Sequence, residues 1–277
     1  MGKDKLKKFA ENKTFRCLVQ PEFDEIFGKD HPLKGRWHAD FFRNDRPIVL
    51  ELGCGKGEYT VARAEADPET LFVGIDVDPI CVMRSAEAAC EAGVGNVVFV
   101  HDEDPDVLEL FGEGELASIL INFPTPFPKK KRAPRRLTYL DRLMKYRLVL
   151  EDGGTVRMRT DSTPFRDFSL TQLNLAGYQL EWETDDVRGM FPDEPWSGYE
   201  RKLVAKGAPV VGFCAVPGPA PEHVEQTAPL SLVSYLPEDL ESLDYIPFGM
   251  QGSIDNIVGY NANRRKKGLP DWRPPIV

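Results

Sequence analysis

The chain alternates short apolar runs with helical segments, and that alternation restricts its fold more than any single motif does. Pro47-Ile-Val-Leu-Glu51 reads as a buried strand that ends in a glycine turn, and Glu58 to Ala66 reads as a helix stopped by Asp67-Pro68. Leu71 to Asp76 is a second strand. Pro79 to Ala92 is a helix with proline at its start and Gly93 after its end, the asymmetry that helix termini favour. Asn96 to Val100 and Leu116 to Phe123 are further strands, with a helical segment around Pro105 to Phe111 between them. A helix is expected from Leu137 to Leu150, with Leu140, Leu143, Met144 and Leu148 on one face and Gly153-Gly154 ending it. Thr155 to Thr160 is a fifth strand and residues 164–176 a helix. Tyr178 to Glu183 and Val210 to Val216 are late strands able to pair antiparallel. Short connections between alternating strands and helices imply an α/β fold: a doubly wound, mostly parallel, Rossmann-like sheet with an antiparallel C-terminal hairpin.

Residues 46–216 make up this domain. Residues 1–45 are a lead-in whose Phe15, Phe23, Phe27 and Trp37 are expected to pack on it, and residues 217–277 are a Pro-rich linker and an extension of unassigned role. No apolar run approaches the ~20 residues that span a bilayer, and no apolar segment follows the basic N-terminus as in a signal peptide. The five cysteines lack paired spacing, which fits reduced thiols in the cytoplasm. The four histidines are dispersed, so no metal is expected. A net charge of −9 argues against a general nucleic-acid coat protein but leaves room for a local basic patch.

The first turn, Glu51-Leu-Gly-Cys-Gly-Lys-Gly57, opens a helix. Gly53, Gly55 and Gly57 let a ligand approach the backbone. Glu58 stands where a dinucleotide-binding turn would carry its third glycine, and a carboxylate there repels a pyrophosphate drawn to the helix N-terminus. A ligand without phosphates fits better, and S-adenosylmethionine is one, with Glu51 expected to bind its ammonium directly or through water. Asp76 ends the next strand about 20 residues on, where an acid meets ribose hydroxyls. Asp102, Glu103 and Asp104 follow the third strand, and Glu103 is preferred for the adenine amino group. Cys54 has no histidine near it in sequence and reads as a small residue that the turn requires.

Asn122 to Tyr139 reads NFPTPFPKKKRAPRRLTY. Pro124, Pro126 and Pro128 fix φ and remove donors, so they make a stiff turn. Lys129, Lys130, Lys131, Arg132, Arg135 and Arg136 beside it are placed to hold phosphate, and the lesser alternative for Arg135 and Arg136 is to anchor the helix that follows. On these motifs the chain resembles the tRNA (guanine-N7-)-methyltransferase family, which carries Asn-Phe-Ser-Asp-Pro-Trp-Pro-Lys, a basic run and Arg-Arg-Leu-Thr-Tyr. No gap is needed, and the likeness extends through LKGRWHADF, ELGCGKGEYT, Thr160-Asp161 and Gly198-Tyr-Glu-Arg-Lys-Leu, over residues 5–216. It implies cofactor contacts at Glu51, Asp76, Glu103 and the proline turn, and substrate contacts at Lys129, Asp161, Tyr199 and Glu200. The family's acid in the turn is Thr125 here and its Trp is Phe127. The activity implied is methyl transfer to N7 of a guanine in the tRNA variable loop, with Thr125 and Asp161 as catalytic positions. The alternatives are a homologue that binds tRNA or cofactor without turnover, and an amino-group methyltransferase. Monomer and homodimer both remain open.

Overall fold

Every residue of the strand Ile48–Leu52 is buried, as a strand must be when helices cover both faces of a parallel sheet. The computed structural model describes residues 15–20, 29–102, 106–241 and 243–273; Phe23, Phe27, Glu103 and Asp104, singled out above, lie outside them. The strands are β1 (Leu18–Val19), β2 (Ile48–Leu52), β3 (Leu71–Asp76), β4 (Val97–His101), β5 (Leu116–Asn122), β6 (Leu150–Thr160), β7 (Tyr178–Thr184) and β8 (Val211–Pro217). The α-helices are α1 (Glu58–Ala66), α2 (Pro79–Ala92), α3 (Val107–Leu110), α4 (Leu140–Val149), α5 (Thr163–Leu175), α6 (Val187–Met190), α7 (Gly198–Val204) and α8 (Gln251–Lys266). Among the described residues the strands follow the order β1-β4-β3-β2-β5-β6-β8-β7. No helix there is long and apolar enough to cross a membrane.

The chain divides into two compact units. Unit one takes Met1–Asn122, Lys145–Arg157 and Pro195–Gly198; unit two takes Phe123–Met144, Met158–Glu194 and Tyr199–Val277. In unit one, β2 pairs in parallel with β3 (Leu50 opposite Val73) and with β5 (Leu50 opposite Ile119), so the order of strands reverses at β2. Such a reversal opens a crevice at the carboxyl ends of the two strands, where open α/β sheets bind ligands. Val49, Phe72, Val97 and Phe99 from the strands bury against Tyr59, Val61, Val82 and Ala89 from the helices. Helix α2 is set by its ends: Asp78 caps it by accepting from the Ile80 N–H at 2.9 Å, and Gly93 closes it at φ 70°. In the lead-in Trp37 is fully buried and donates its indole N–H to Leu110 O at 2.9 Å.

Unit two contains the antiparallel pair β7–β8, with Leu180 opposite Ala215 and a bulge between Leu180 and Trp182. Phe165 and Phe168 of α5 are fully buried. The residues after β8 fold with this unit. Ser231 accepts from the Val233 N–H at 3.3 Å to start a 3₁₀ turn at Leu232–Tyr235, and Leu232, Met250 and Ile254 are buried.

Two expectations are corrected. The helix ends at Val149, and β6 begins at Leu150 and runs through Gly153-Gly154. Gly153 at φ 80° makes an irregularity inside the strand. A Cβ at Gly154 would lie 3.1 Å from Leu116 O, so these glycines serve close strand approach rather than a loop. Leu148 is exposed, while Tyr146 and Val149 are buried. At about 100° per residue, Leu148 lies roughly 140° round the helix from the buried Leu143.

Gly57 has φ 71°, and a Cβ there would sit 2.6 Å from Ser85 Cβ, whereas at Gly55 (φ 57°) nothing lies within 4 Å of that point. Gly57→Ala therefore adds overpacking to left-handed strain and should lower stability by about 2–4 kcal/mol. Gly55→Ala should cost only about 1–2 kcal/mol. Urea unfolding of the two variants measures the difference, and equal losses would contradict this packing.

Candidate methyltransferase site

The cofactor-side residues belong to unit one. Glu51, near the end of β2, is 3% exposed. A buried carboxylate needs donors, and Glu51 has Thr60 Oγ of α1 on one oxygen and Asn122 Nδ2, at 2.7 Å, on the other. The chain then turns through Gly53 (φ 77°), Gly55 (φ 57°) and Gly57 (φ 71°), all in the left-handed region that favours glycine. Gly53 and Cys54 both donate to Ile75 O, at 2.8 and 3.0 Å. Asp76 secures the same turn, accepting from Gly55 N–H at 2.8 Å through Oδ2 and from Asp78 N–H at 2.9 Å through Oδ1. An ionised carboxylate offers about four acceptor positions, so the acid that shapes the turn can also accept ribose hydroxyls. Nothing lies within 4 Å of a Cβ built at Gly53 or Gly55, so a ligand has room against the backbone there. Glu58 opens α1 and accepts from the Gly198 N–H, which gives this carboxylate a structural task beyond repelling phosphate. Burial, then Glu51 and Asp76, push the Cys54 thiol well above its ordinary range, which suits an inert turn residue.

The proline turn belongs to unit two. Phe123 (φ 49°) and Phe127 (φ 42°) are left-handed without being glycine, a strain of about 1–3 kcal/mol each that persists only where surroundings impose it. Phe123 donates its N–H to Arg159 O at 2.7 Å and meets the Tyr199 ring edge-on at 5.9 Å. The prolines supply carbonyls but no donors, and Arg136 meets that deficit. Its Nε donates to Pro126 O at 3.0 Å, its Nη2 to Phe127 O at 2.8 Å and Pro128 O at 3.4 Å, and its guanidinium lies 4.2 Å from the Phe168 ring centre. Arg136 is fully buried, and that burial lowers its pKa to about 10. This corrects the expectation of a phosphate contact: Arg136 anchors the turn.

Thr125, by contrast, is exposed. Lys129, Lys130, Lys131, Arg132 and Arg135 are exposed as well. Lys130–Arg135 form a 3₁₀ helix, and the Arg135 guanidinium lies 5.0 Å from the Phe127 ring centre.

Asp161, just beyond β6, is 8% exposed and accepts from the Tyr245 hydroxyl at 2.5 Å. Burial and this acid raise the pKa of both Tyr199 and Tyr245, which stay protonated donors at neutral pH. Tyr199 is 52% exposed and open to a substrate. Glu200 is fully buried: Arg188 donates to it at 2.5 Å through Nε and pairs with it again through Nη2, while Arg159 lies 3.9 Å away. Its expected substrate contact is therefore corrected to a structural ion network. Glu103 lies outside the described residues. The sequence carried no signal for Tyr245, which stands in the extension, or for the partners of Arg136. Asn122 was legible as part of a motif but not as the donor to Glu51. Among the described residues no group of His, Cys, Asp and Glu side chains is arranged to hold a metal ion.

A doubly wound sheet whose strand β2 leads into a glycine turn, tied to an acid at the end of β3, is the framework of a nucleoside-cofactor-binding fold. A family model described as "Putative methyltransferase" matches residues 45–212. The tRNA (guanine-N(7)-)-methyltransferase of Christiangramia forsetii is 37% identical over 214 residues, covering 76% of this chain and 96% of that protein. The enzyme of the same name from Porphyromonas gingivalis is 42% identical over 158 residues, 57% of this chain and 64% of that one. The solved 16S rRNA methyltransferase KamB shares the fold, with a TM-score of 0.51 at 14% identity over 67% of this chain and 95% of that one. The chain belongs to the tRNA (guanine-N(7)-)-methyltransferase family.

Cysteine labelling tests the glycine turn. Cys90 is exposed and Cys54 buried. Iodoacetamide at pH 8 should alkylate Cys90 in the native protein and reach Cys54 only after unfolding. Early modification of Cys54 would show a turn more open than described.

Proposed function

We propose that this protein is a cytoplasmic methyltransferase that uses S-adenosylmethionine to methylate N7 of a guanine in the variable loop of tRNA. The observation that carries the reading is the proline turn: a strained, non-helical loop bolted down by a buried arginine, with an exposed hydroxyl at Thr125 and a run of exposed cations next in sequence. When bound, S-adenosylmethionine supplies a methyl group already activated on a sulfonium. Gly53 and Gly55 give it backbone room, whereas Gly57, expected to do the same, packs against Ser85 and Phe99; Asp76 accepts its ribose hydroxyls, and the family resemblance assigns its ammonium to Glu51 and its adenine to Glu103. The family resemblance assigns the Thr125 position to both cofactor and substrate.

Guanine N7 carries a free lone pair, so no base has to expose it. What the chain must do is orient that atom, and positioning alone supplies up to ~7–11 kcal/mol of a barrier. A rigid turn suits that task better than a mobile loop. The methylated base is cationic, so acceptors near it stabilise the charge that develops. Asp161 contributes a full negative charge and Thr125 only a hydroxyl dipole. Tyr199, half open to solvent, offers a ring face on which an unstacked base can lie. Lys129, Lys130, Arg132 and Arg135 contact phosphate, giving affinity and register rather than sequence choice.

Purified protein, labelled cofactor and unmodified tRNA should yield 7-methylguanosine. Cofactor binding without transfer, or methyl on an exocyclic amine, would refute the reading. Thr125→Asp restores a carboxylate to the turn and should raise kcat; a rate equal to or below wild type would mean that the site has adapted to threonine. Lys129→Ala and Lys130→Ala should each reduce the slope of log affinity against log salt by about 0.7–0.9, with thermal stability within about 0.5 kcal/mol of wild type.

A further inference from the structure

The segment after β8 lies beyond the residues that carry the family resemblance, yet it reaches the carboxylate that the resemblance assigns to substrate. Within unit two, Leu232 donates its N–H to Pro128 O of the proline turn at 3.1 Å, and the Tyr235 ring meets Phe168 edge-on at 5.9 Å. Further on, Tyr245 donates its hydroxyl proton to Oδ2 of Asp161 at 2.5 Å. The same segment and α5 line a cavity of about 620 Å3, with Asp161, Thr163, Leu170, Tyr235, Tyr245 and Pro247 among its walls. That volume is ample for one unstacked nucleoside, and two of those walls are aromatic.

An ionised carboxylate accepts only, and guanine presents N1–H and N2–H donors along its Watson–Crick edge. A carboxylate that rotates freely meets such an edge poorly. One that is held by a single O–H on one oxygen keeps its plane and its remaining acceptor positions. We propose that Tyr245 is a positioning residue of the substrate site: by donating to Asp161 it orients this carboxylate toward the guanine, so that the extension after β8 completes the side of the site that holds the base. The proposal rests on the tRNA methyltransferase reading above.

The test compares wild type, Tyr245→Phe, Asp161→Asn and the double variant in steady-state methyl transfer, varying tRNA and cofactor separately, with thermal midpoints as a check on folding. Tyr245→Phe should lower kcat/KM for tRNA about tenfold, leave the cofactor KM unchanged, and add nothing in the Asp161→Asn background. Tyr245→His, which keeps a ring N–H donor, should recover part of the loss. An active wild type with an unchanged Tyr245→Phe overturns the proposal alone. So does an equal loss in both Asp161 backgrounds, or a loss that follows the thermal midpoint without recovery by histidine. A wild type that forms no 7-methylguanosine overturns the reading and the proposal together.

Discussion

At the point where the strand order reverses, one carboxylate is buried within the sheet, and the elements that begin the cofactor side are tied to it. Glu51 lies opposite Leu120 of β5 and opposite Gly74 of β3, in the middle of the parallel sheet. An ion there is tolerable only if donors meet it. Thr60 comes from the first helix and Asn122 from the last residue of β5, so the same bonds that satisfy the charge lock β2, α1 and the end of β5 into one arrangement. The glycine turn starts two residues after Glu51, and the proline turn starts directly after Asn122. Removing one donor from such a set takes a hydrogen bond from a buried charge, an effect of about 1.5–3 kcal/mol.

The proline turn raises the same problem with the opposite sign. Its prolines bring carbonyl acceptors and withhold N–H donors, so the missing donors have to come from a side chain. A planar guanidinium fork spreads five donors over separated carbonyls in a fixed geometry, whereas lysine offers three from a single point. Arg136 does so while stacked on Phe168, and the two left-handed phenylalanines are held against their own preference. The adjacent Arg135 stays exposed, with its guanidinium over the Phe127 ring. Neighbouring arginines of one motif thus divide between scaffold and surface.

Much of the fold was legible because its signals are local. Pro79, Gly93 and the alternation of apolar runs act over a few residues, and the structure follows them closely through β2, α1, β3 and α2. The antiparallel pairing of the last two strands was legible for the same reason. The glycines at 153 and 154 misled, since the same residues that end a helix also permit a close approach within a strand. The glycine turn was legible because left-handed backbone favours glycine, as at Gly53 and Gly55. The site was not legible where a charged side chain had to choose a partner. Glu200 was expected to contact substrate, yet it is buried between arginines from residues 159 and 188, a pairing set by distances that no local pattern encodes.

The sequence by itself determined the alternating α/β order, the glycine and proline turns, and the family to which the chain belongs, because backbone restrictions and hydrophobic periodicity act along the chain. The tertiary structure alone decided which charges are buried and what they do. Arg136 and Glu200 became anchors, Lys129 and Arg135 stayed in water, and Asp161 acquired a hydroxyl donor from a tyrosine 84 residues away. The physical reason is that desolvation and hydrogen-bond partners depend on what surrounds a group in space, and a linear pattern carries that information only for near neighbours.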